Sequence, residues 1–123
     1  MHKLLTAALA KLEVVAAEGG GGRPYEASMN FEVAALPLFL ERLNTELALS
    51  LDVPGLTTFA QRTGESDERS MRLQVTFQDR PTPMEYRVFR DDAYYAYIYF
   101  LTDSRELADA IVSRMATFQE EQG

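Results

Sequence analysis

The chain has no cysteine, and its one histidine, His2, lies beside the N-terminus. The absence of cysteine excludes disulfides, thiolate nucleophiles and cysteine-ligated zinc or iron–sulfur sites. A Ser-His-Asp triad or a histidine metal site would depend on a single residue at a terminus that frays, so the sequence disfavours both. We therefore expect a protein that is not an enzyme and that carries no cofactor and no metal.

Long apolar runs are also absent. A membrane-spanning helix needs about 18 or more consecutive apolar residues, and Lys11 and Glu13 interrupt the apolar stretch at the start of the chain. That start has the pattern of an amphipathic helix rather than of a signal peptide. Together with the missing cysteine, this predicts a cytoplasmic protein that has no membrane partner.

Positive charge is scarce, since the formal net charge is −7. Such a chain repels a phosphate backbone, so we expect no nucleic-acid partner. The hydrophobic content of 46% and the length of 123 residues are typical of one globular domain. We divide this predicted domain, 1–123, into an N-terminal helix at 1–18, a glycine linker at 19–23 and an α+β core at 24–123.

The N-terminal helix is predicted at 3–17 from apolar residues at three- and four-residue spacing. The stripe consists of Leu5, Ala8, Leu9, Leu12, Val15 and Ala16. The glycines at 19–22 end the helix and form a flexible joint. This joint leaves two arrangements open, because the helix could pack on its own domain or be exchanged with a second copy of the chain.

The core is predicted from alternating and helical hydrophobic patterns. In order, the predicted elements are a strand at 25–33, a helix at 36–51, strands at 56–63, 70–78, 84–90 and 94–102, and a helix that begins after Asp103. We thus expect an α+β fold with an antiparallel sheet, in the order β-α-β-β-β-β-α after the extra N-terminal helix. This order resembles the TATA-box-binding-protein-like and helix-grip architectures, in which a curved sheet holds a long C-terminal helix. The resemblance concerns the fold and implies no function.

The last predicted strand is rich in tyrosine. Tyr95, Tyr97, Tyr99 and Leu101 alternate along it with Tyr94, Ala96, Ile98 and Phe100. Both faces are therefore apolar, and we expect the strand to lie inside the sheet with a cover on each face. The face that meets the core depends on the register with the preceding strand, because a one-residue slip exchanges the two faces.

An even-length hairpin loop gives the first register. If the loop is Asp91–Asp92 or 90–93, Val88 opposes Tyr95, and the tyrosine row joins Tyr86 on the face that the helices cover. The hydroxyl groups would then need partners inside a concavity, which is how a pocket for an amphipathic ligand is built. We favour this register because a three-residue hairpin usually requires a glycine, which the loop lacks.

A three-residue loop, 91–93, gives the second register. Val88 then opposes Ala96, and the tyrosine row points outward beside Arg72 and Arg87. Tyrosine and arginine together are typical of binding hot spots, because they offer a large rigid area and flat cations that stack on it. In either register, an aromatic strand also has a purely structural explanation, since rings fill a pleated surface well.

Three functions are compatible with these patterns, and the leading one is a non-enzymatic protein–protein interaction module that forms a homodimer. Such a module would be an adaptor, a regulator or chaperone-like. Its candidate binding residues are Tyr86, Tyr95, Tyr97, Tyr99, Arg72 and Arg87.

The first alternative is a carrier or sensor of a small apolar ligand, with a pocket between the sheet and the last helix. The four tyrosines at 86, 95, 97 and 99 would line that pocket. The second alternative is an enzyme that uses carboxylate and tyrosine acid–base chemistry. Asp91–Asp92 is the most conspicuous carboxylate pair, although a hairpin loop explains it more simply.

Overall fold

A computed structural model of the chain describes residues 23–122. The predicted helix at 3–17 and the glycines at 19–22 lie outside the described residues. The described chain forms the strands β1 (Tyr25–Glu32), β2 (Glu68–Phe77), β3 (Arg80–Arg90) and β4 (Tyr95–Thr102), and the helices α1 (Leu36–Leu47), α2 (Val53–Arg62) and α3 (Arg105–Gln122). A 3-10 turn, Val33–Ala35, connects β1 to α1. None of the helices within 23–122 combines the length and the apolar character that crossing a bilayer requires.

The fold class predicted from the sequence is confirmed. The chain is α+β, and its sheet is antiparallel with the strand order β1-β4-β3-β2. The consecutive strands β2, β3 and β4 form an antiparallel meander, and β1 pairs with the remaining edge of β4. The tyrosine-rich strand therefore has a neighbour on both sides, which confirms its predicted place inside the sheet.

One predicted element is wrong, because residues 56–62 belong to helix α2, whose C-cap is Thr63, and this stretch forms no strand. The helix begins at a cap in which an Asp52 carboxylate oxygen accepts from the backbone N–H three residues on, at 3.1 Å. Pro54 is tolerated in the first turn, where its missing N–H is not needed. Leu56 and Ala60, four residues apart, then share one buried side. These signals outweigh the strand preference of the threonines and the phenylalanine in this stretch, and the sheet has four strands instead of five.

Helix α1 ends at Leu47, before its predicted end at 51. Ala48 adopts a left-handed conformation with φ of 55°, which turns the chain away from the helix axis. The side-chain amide of Asn44 stabilises this turn through two hydrogen bonds to the backbone of Leu51. It donates to the carbonyl of Leu51 at 3.0 Å and accepts from the N–H of Leu51 at 2.8 Å. The connection leads directly into the cap of α2.

All three helices pack on one face of the sheet, which we call the inner face. The strands contribute alternate buried side chains to it: Ala27, Met29, Phe31, Val75, Phe77, Met84, Tyr86, Val88, Ala96, Ile98 and Phe100. One cluster in this core is a trio of rings, Phe31 of β1, Phe39 of α1 and Phe118 of α3, with centroids 4.8 to 5.9 Å apart. No helix of the described chain packs on the opposite face, which we call the outer face.

Candidate functional site

The hairpin register places the tyrosine row on the outer face. Val88 pairs with Ile98, and Tyr86 pairs with Phe100. The odd-numbered residues of β4 therefore point away from the helices. The even-length loop that we favoured is wrong. The three-residue alternative predicted the correct face, but it paired each β3 residue with a partner two positions too early.

The chemistry of the loop explains this register. The loop between the paired residues Arg90 and Ala96 is five residues long. A carboxylate oxygen of Asp92 accepts from the backbone N–H groups of Tyr94 and Tyr95, both at 2.8 Å. An aspartate that binds the backbone following it stabilises a turn without glycine. The Asp92 carboxylate therefore has a structural role.

The outer face is built from the side chains that alternate with those of the core. They are Tyr95, Tyr97, Tyr99 and Leu101 of β4, Glu85, Arg87 and Phe89 of β3, Glu26, Ser28, Asn30 and Glu32 of β1, and Glu68, Ser70 and Arg72 of β2. Cross-strand pairing sets Tyr97 between Asn30 and Phe89. The middle of this face is aromatic, and polar and charged side chains flank it on both sides.

Exposure changes along the tyrosine row. Tyr95 is 42% exposed at one end, and Tyr97 and Tyr99 are half-buried. Leu101, at the other end, is only 3% exposed although it points away from the helices. The ring centroids of Tyr97 and Phe89 lie 6.5 Å apart, within the range of interacting aromatic pairs. The row is thus most accessible at Tyr95 and least accessible at Leu101.

Charged neighbours fix the orientation of Arg87 and affect the pKa of Tyr99. Nη2 of Arg87 donates to Oε2 of Glu85 at 2.9 Å, and its Nε lies 3.7 Å from a carboxylate oxygen of Glu68. Burial raises the pKa of Tyr99, and the carboxylates of Glu26 and Glu68 raise it further, while Arg87 lowers it. Tyr99 is therefore neutral at pH 7, and its hydroxyl can donate and accept hydrogen bonds.

Two of the predicted site residues lie apart from the tyrosine row. Tyr86 is fully buried on the inner face, and its hydroxyl donates to the carbonyl of Leu56 at 3.1 Å. Arg72 is exposed on the outer face of the edge strand β2, opposite Glu85. Since Tyr86 and the row lie on opposite faces of the sheet, the four tyrosines do not line a common pocket.

The buried phenol gives a prediction at alkaline pH. Burial raises the pKa of Tyr86 far above its usual value of 10.0. The folded state therefore holds the phenol proton more tightly than the unfolded state does. This difference stabilises the fold fully below about pH 10, and the stabilisation is lost as the pH rises further. We expect the urea midpoint to stay level to about pH 9 and then to fall. The Tyr86→Phe variant should be less stable by about 1 kcal/mol at pH 7, because it loses the hydrogen bond. Its urea midpoint should fall less steeply above pH 10, because it has no phenol at this position to ionise. Parallel pH profiles for the two proteins would contradict this account.

A cavity of the described chain that touches Tyr95 is small. It measures about 160 Å³ and lies between Asn30, Tyr95 and the end of α3 at Phe118. Ligand pockets usually measure about 300–1,000 Å³. A cleft of about 560 Å³ lies elsewhere, between the β2–β3 turn and the start of α3, and its lining includes Arg80 and Arg105 but none of the predicted tyrosines.

The sequence pattern alone does not mark Phe89 or Asn30 as members of this surface. Phe89 alternates with Arg87 along β3, so any register that turns Arg87 outward turns Phe89 outward too. Asn30 alternates with apolar residues along the first strand, and its pairing with Tyr97 depends on the position of β1 beside β4. The two-residue spacing of Arg87 and Phe89 places both on one face of β3. Which face that is becomes known only with the register of the hairpin.

Comparisons with known proteins supply no function. No protein-family model matches the chain, and no curated protein or solved structure matches it. Within the described residues, no group of three His, Cys, Asp or Glu side chains could hold a metal ion. The geometry of the outer face is therefore the basis for a functional proposal.

Proposed function

We propose that the chain is a non-enzymatic protein–protein interaction module that binds a partner protein through the outer face of its sheet. The row of Tyr95, Tyr97 and Tyr99, beside Phe89 and Arg87, carries this proposal. Tyrosine and arginine dominate binding hot spots, because they provide large contact areas and lose little conformational entropy. The half-buried rings would gain further burial against a partner, and burial of apolar area is the main driving force of association.

The shape and charge of the face favour a protein as the partner. The row follows a strand of the described sheet, and the cavity at Tyr95 holds only about 160 Å³, so the face suits a broad protein surface better than a small molecule. Glu26 and Glu32 flank the row on one side, and the net charge of the chain is −7, so a nucleic-acid backbone would be repelled. An uncharged middle with a polar rim is the usual composition of a protein interface.

The acid–base alternative has less support from the same residues. The Asp92 carboxylate is engaged by two backbone N–H groups, and the Glu85 carboxylate is paired with Arg87. The raised pKa of Tyr99 makes its phenol a poor base at neutral pH. No free base stands beside a nucleophile among these groups, so a binding role fits them better than catalysis.

Affinity capture with the purified full chain tests the proposal. We expect Tyr97→Ala to lose a protein that the unaltered chain retains, because truncating a hot-spot tyrosine costs about 2 kcal/mol or more, which is roughly thirtyfold in Kd. Thr117→Ala is the matched control, since Thr117 is exposed on α3, in the helix layer on the other side of the sheet. Quantitative mass spectrometry compares the three captured sets.

A protein captured equally by all three chains would place the binding surface elsewhere, and the proposal would fail. Urea unfolding of each variant shows that it is folded before capture. Tyr97→Phe supplies a second check, because it keeps the ring and should keep most of the binding.

A further inference from the structure

We infer that two copies of the chain join through strand β2, which pairs antiparallel with its counterpart about Leu73 and forms one continuous eight-stranded sheet. The occupant of this edge is therefore a second copy of the chain. The contact uses an edge of the sheet and does not involve the outer face. Three features of β2 point to it: its exposure, its length and the residues that the pairing brings together.

The two edges of the sheet differ in exposure. The strand order β1-β4-β3-β2 makes β1 and β2 the edge strands of the described sheet. The middle of β1 is buried, since Ala27, Ser28 and Met29 are each no more than 3% exposed. The even-numbered residues of β2, in contrast, are all exposed. Within 23–122 the strand β2 pairs with β3 alone, so its other side offers backbone N–H and C=O groups to a further strand.

Strand β2 lacks three features that protect an edge from pairing, which are short length, proline and a bulge. It has ten residues, whereas strands usually have about five or six. It contains no proline, and all ten residues pair with β3 in one unbroken register. A charge on the inner side of an edge strand also hinders pairing. The charge of Arg69 is held within the chain, because its Cζ lies 4.6 Å from the centroid of the Phe59 ring.

The position of the two-fold axis follows from length and charge. Antiparallel pairing of two identical edges places the axis perpendicular to the sheet, so inner residues face inner residues and the axis passes through one residue of β2. An axis at Leu73 pairs 69–77 of one copy with 69–77 of the other. An axis at Arg72 gives an overlap of the same length, but it sets two arginines directly opposite each other, which is destabilising. Every other axis shortens the overlap.

On the inner side, this register places apolar residues opposite apolar residues. Leu73 lies opposite the partner's Leu73, and Met71 lies opposite the partner's Val75. Met71 and Leu73 are only partly buried against the core of a single copy. The pairing therefore covers apolar surface that the helices of one copy leave accessible, and burial of such surface drives association.

On the outer side, the facing residues are polar and no like charges are opposed. Arg72 lies opposite the partner's Gln74, and it keeps Glu85 as its neighbour on the β3 side. Ser70 lies opposite the partner's Thr76. Alternate residues of each strand turn their N–H and C=O groups toward the new neighbour, so the overlap forms about eight to ten backbone hydrogen bonds.

The reciprocity of these contacts favours a second copy over an unrelated extended segment. Each contact away from the axis occurs twice, as a two-fold interface requires. The same axis keeps the two outer faces on one side of the combined sheet. A dimer would therefore present the surface of the proposed function twice, and it would hold a partner that has two matching sites more tightly than a single copy does.

Charge changes at position 74 test the pairing by sedimentation equilibrium of the purified chain. The Gln74→Glu variant sets a carboxylate against Arg72 at two symmetric places, so we expect the Kd of the dimer to fall about fivefold. The Gln74→Arg variant opposes two arginines twice and should raise this Kd about fivefold. Net charge alone predicts the reverse order, because the chain carries −7 and added negative charge increases repulsion between copies.

Thr117→Glu and Thr117→Arg are the matched controls, since they make the same charge changes at an exposed position on α3. Their Kd values should follow net charge. A chain that stays monomeric up to about a millimolar would overturn the inference, and so would a dimer that Gln74→Arg tightens and Gln74→Glu weakens. Neither result bears on the proposed function, because capture of a partner through Tyr97 tests that function separately.

Single cysteines provide a second readout that locates the axis, because the chain has none of its own. Directly opposite residues of antiparallel strands have Cα atoms about 4.5–5.5 Å apart, within the roughly 4.4–6.8 Å that a disulfide spans. Under mild oxidation we expect Leu73→Cys to form disulfide-linked dimers at least about tenfold faster than Ser70→Cys. Ser70 is more exposed, but this register places it about 20 Å from its counterpart. Equal rates in the two folded variants would overturn the pairing about Leu73.

Discussion

Replacing Phe39 with alanine is expected to lower the free energy of unfolding by about 3–5 kcal/mol. Phe39 is 0% exposed, and its ring centroid lies 4.8 Å from that of Phe31 and 5.3 Å from that of Phe118. The substitution removes the middle ring of a cluster that joins β1, α1 and α3. It also leaves a cavity that rigid neighbours cannot fill. Small domains are stable by only about 5–15 kcal/mol, so a large share of the total would be lost.

The neighbouring residue supplies the control for this prediction. Leu38 is 49% exposed on the same turn of α1, so Leu38→Ala should change the free energy of unfolding by no more than about 0.5 kcal/mol. Urea unfolding followed by circular dichroism measures both variants. Similar small losses for the two would show that the three rings are not packed as described.

Replacing Arg90 with methionine is expected to cost about 2–3 kcal/mol, the second-largest effect. The Arg90 guanidinium donates to the carbonyls of Ala60, Gln61 and Thr63 at the end of α2, at 3.0 to 3.4 Å. It also donates to the carbonyls of residues 92 and 93 in the β3–β4 loop, both at 2.7 Å. One side chain thus satisfies the orphan carbonyls of a helix end and fixes the loop that sets the register of the tyrosine row.

Lysine at position 90 should restore only part of this stability. Its compact ammonium cannot reproduce the planar fork that reaches both groups of carbonyls. Arg62→Met is the control, because Arg62 is exposed at the end of the same helix. If Arg90→Met and Arg62→Met have the same unfolding midpoint in urea, the bridging role of Arg90 is wrong.

Hydrophobic patterning predicted the fold class because the pattern is repeated over whole elements. The strands at 25–33 and 70–78 alternate cleanly, and the structure contains β1 and β2 there. The tyrosine-rich strand is apolar on both faces, which predicted its place inside the sheet. Residues 56–63 escaped prediction because a short mixed stretch fits both periods. The deciding information lay before it, in the cap residue Asp52 and in Pro54.

The site depended on a single register, and that register is fixed by contacts distant in sequence. The rule that a three-residue hairpin requires glycine was misleading, since Asp92 turns the loop through its carboxylate. Arg90 anchors the same loop to the end of α2, about 30 residues earlier in the chain. No local pattern in the hairpin reveals that anchor. The residue types of the site were therefore predictable, but the face on which they lie was not.

The register also gives Tyr86 and the tyrosines of the outer face two different roles, although all four were predicted as binding residues. Tyr86 supports the fold through the carbonyl of Leu56, whereas Tyr97 and Tyr99 belong to the outer face. Substitutions in the two groups should therefore have different effects. A change at Tyr86 should lower stability, and a change at Tyr97 should lower binding.

Titration of a partner identified by capture, using isothermal calorimetry, tests the central claim most directly. For Tyr97→Ala we expect a Kd roughly thirtyfold higher than that of the unaltered chain, and for Tyr86→Phe a Kd within about twofold of it. Unchanged affinity in Tyr97→Ala would contradict the assignment of the outer face as the binding surface. So would a loss of affinity in a folded Tyr86→Phe chain that matched the loss expected for Tyr97→Ala.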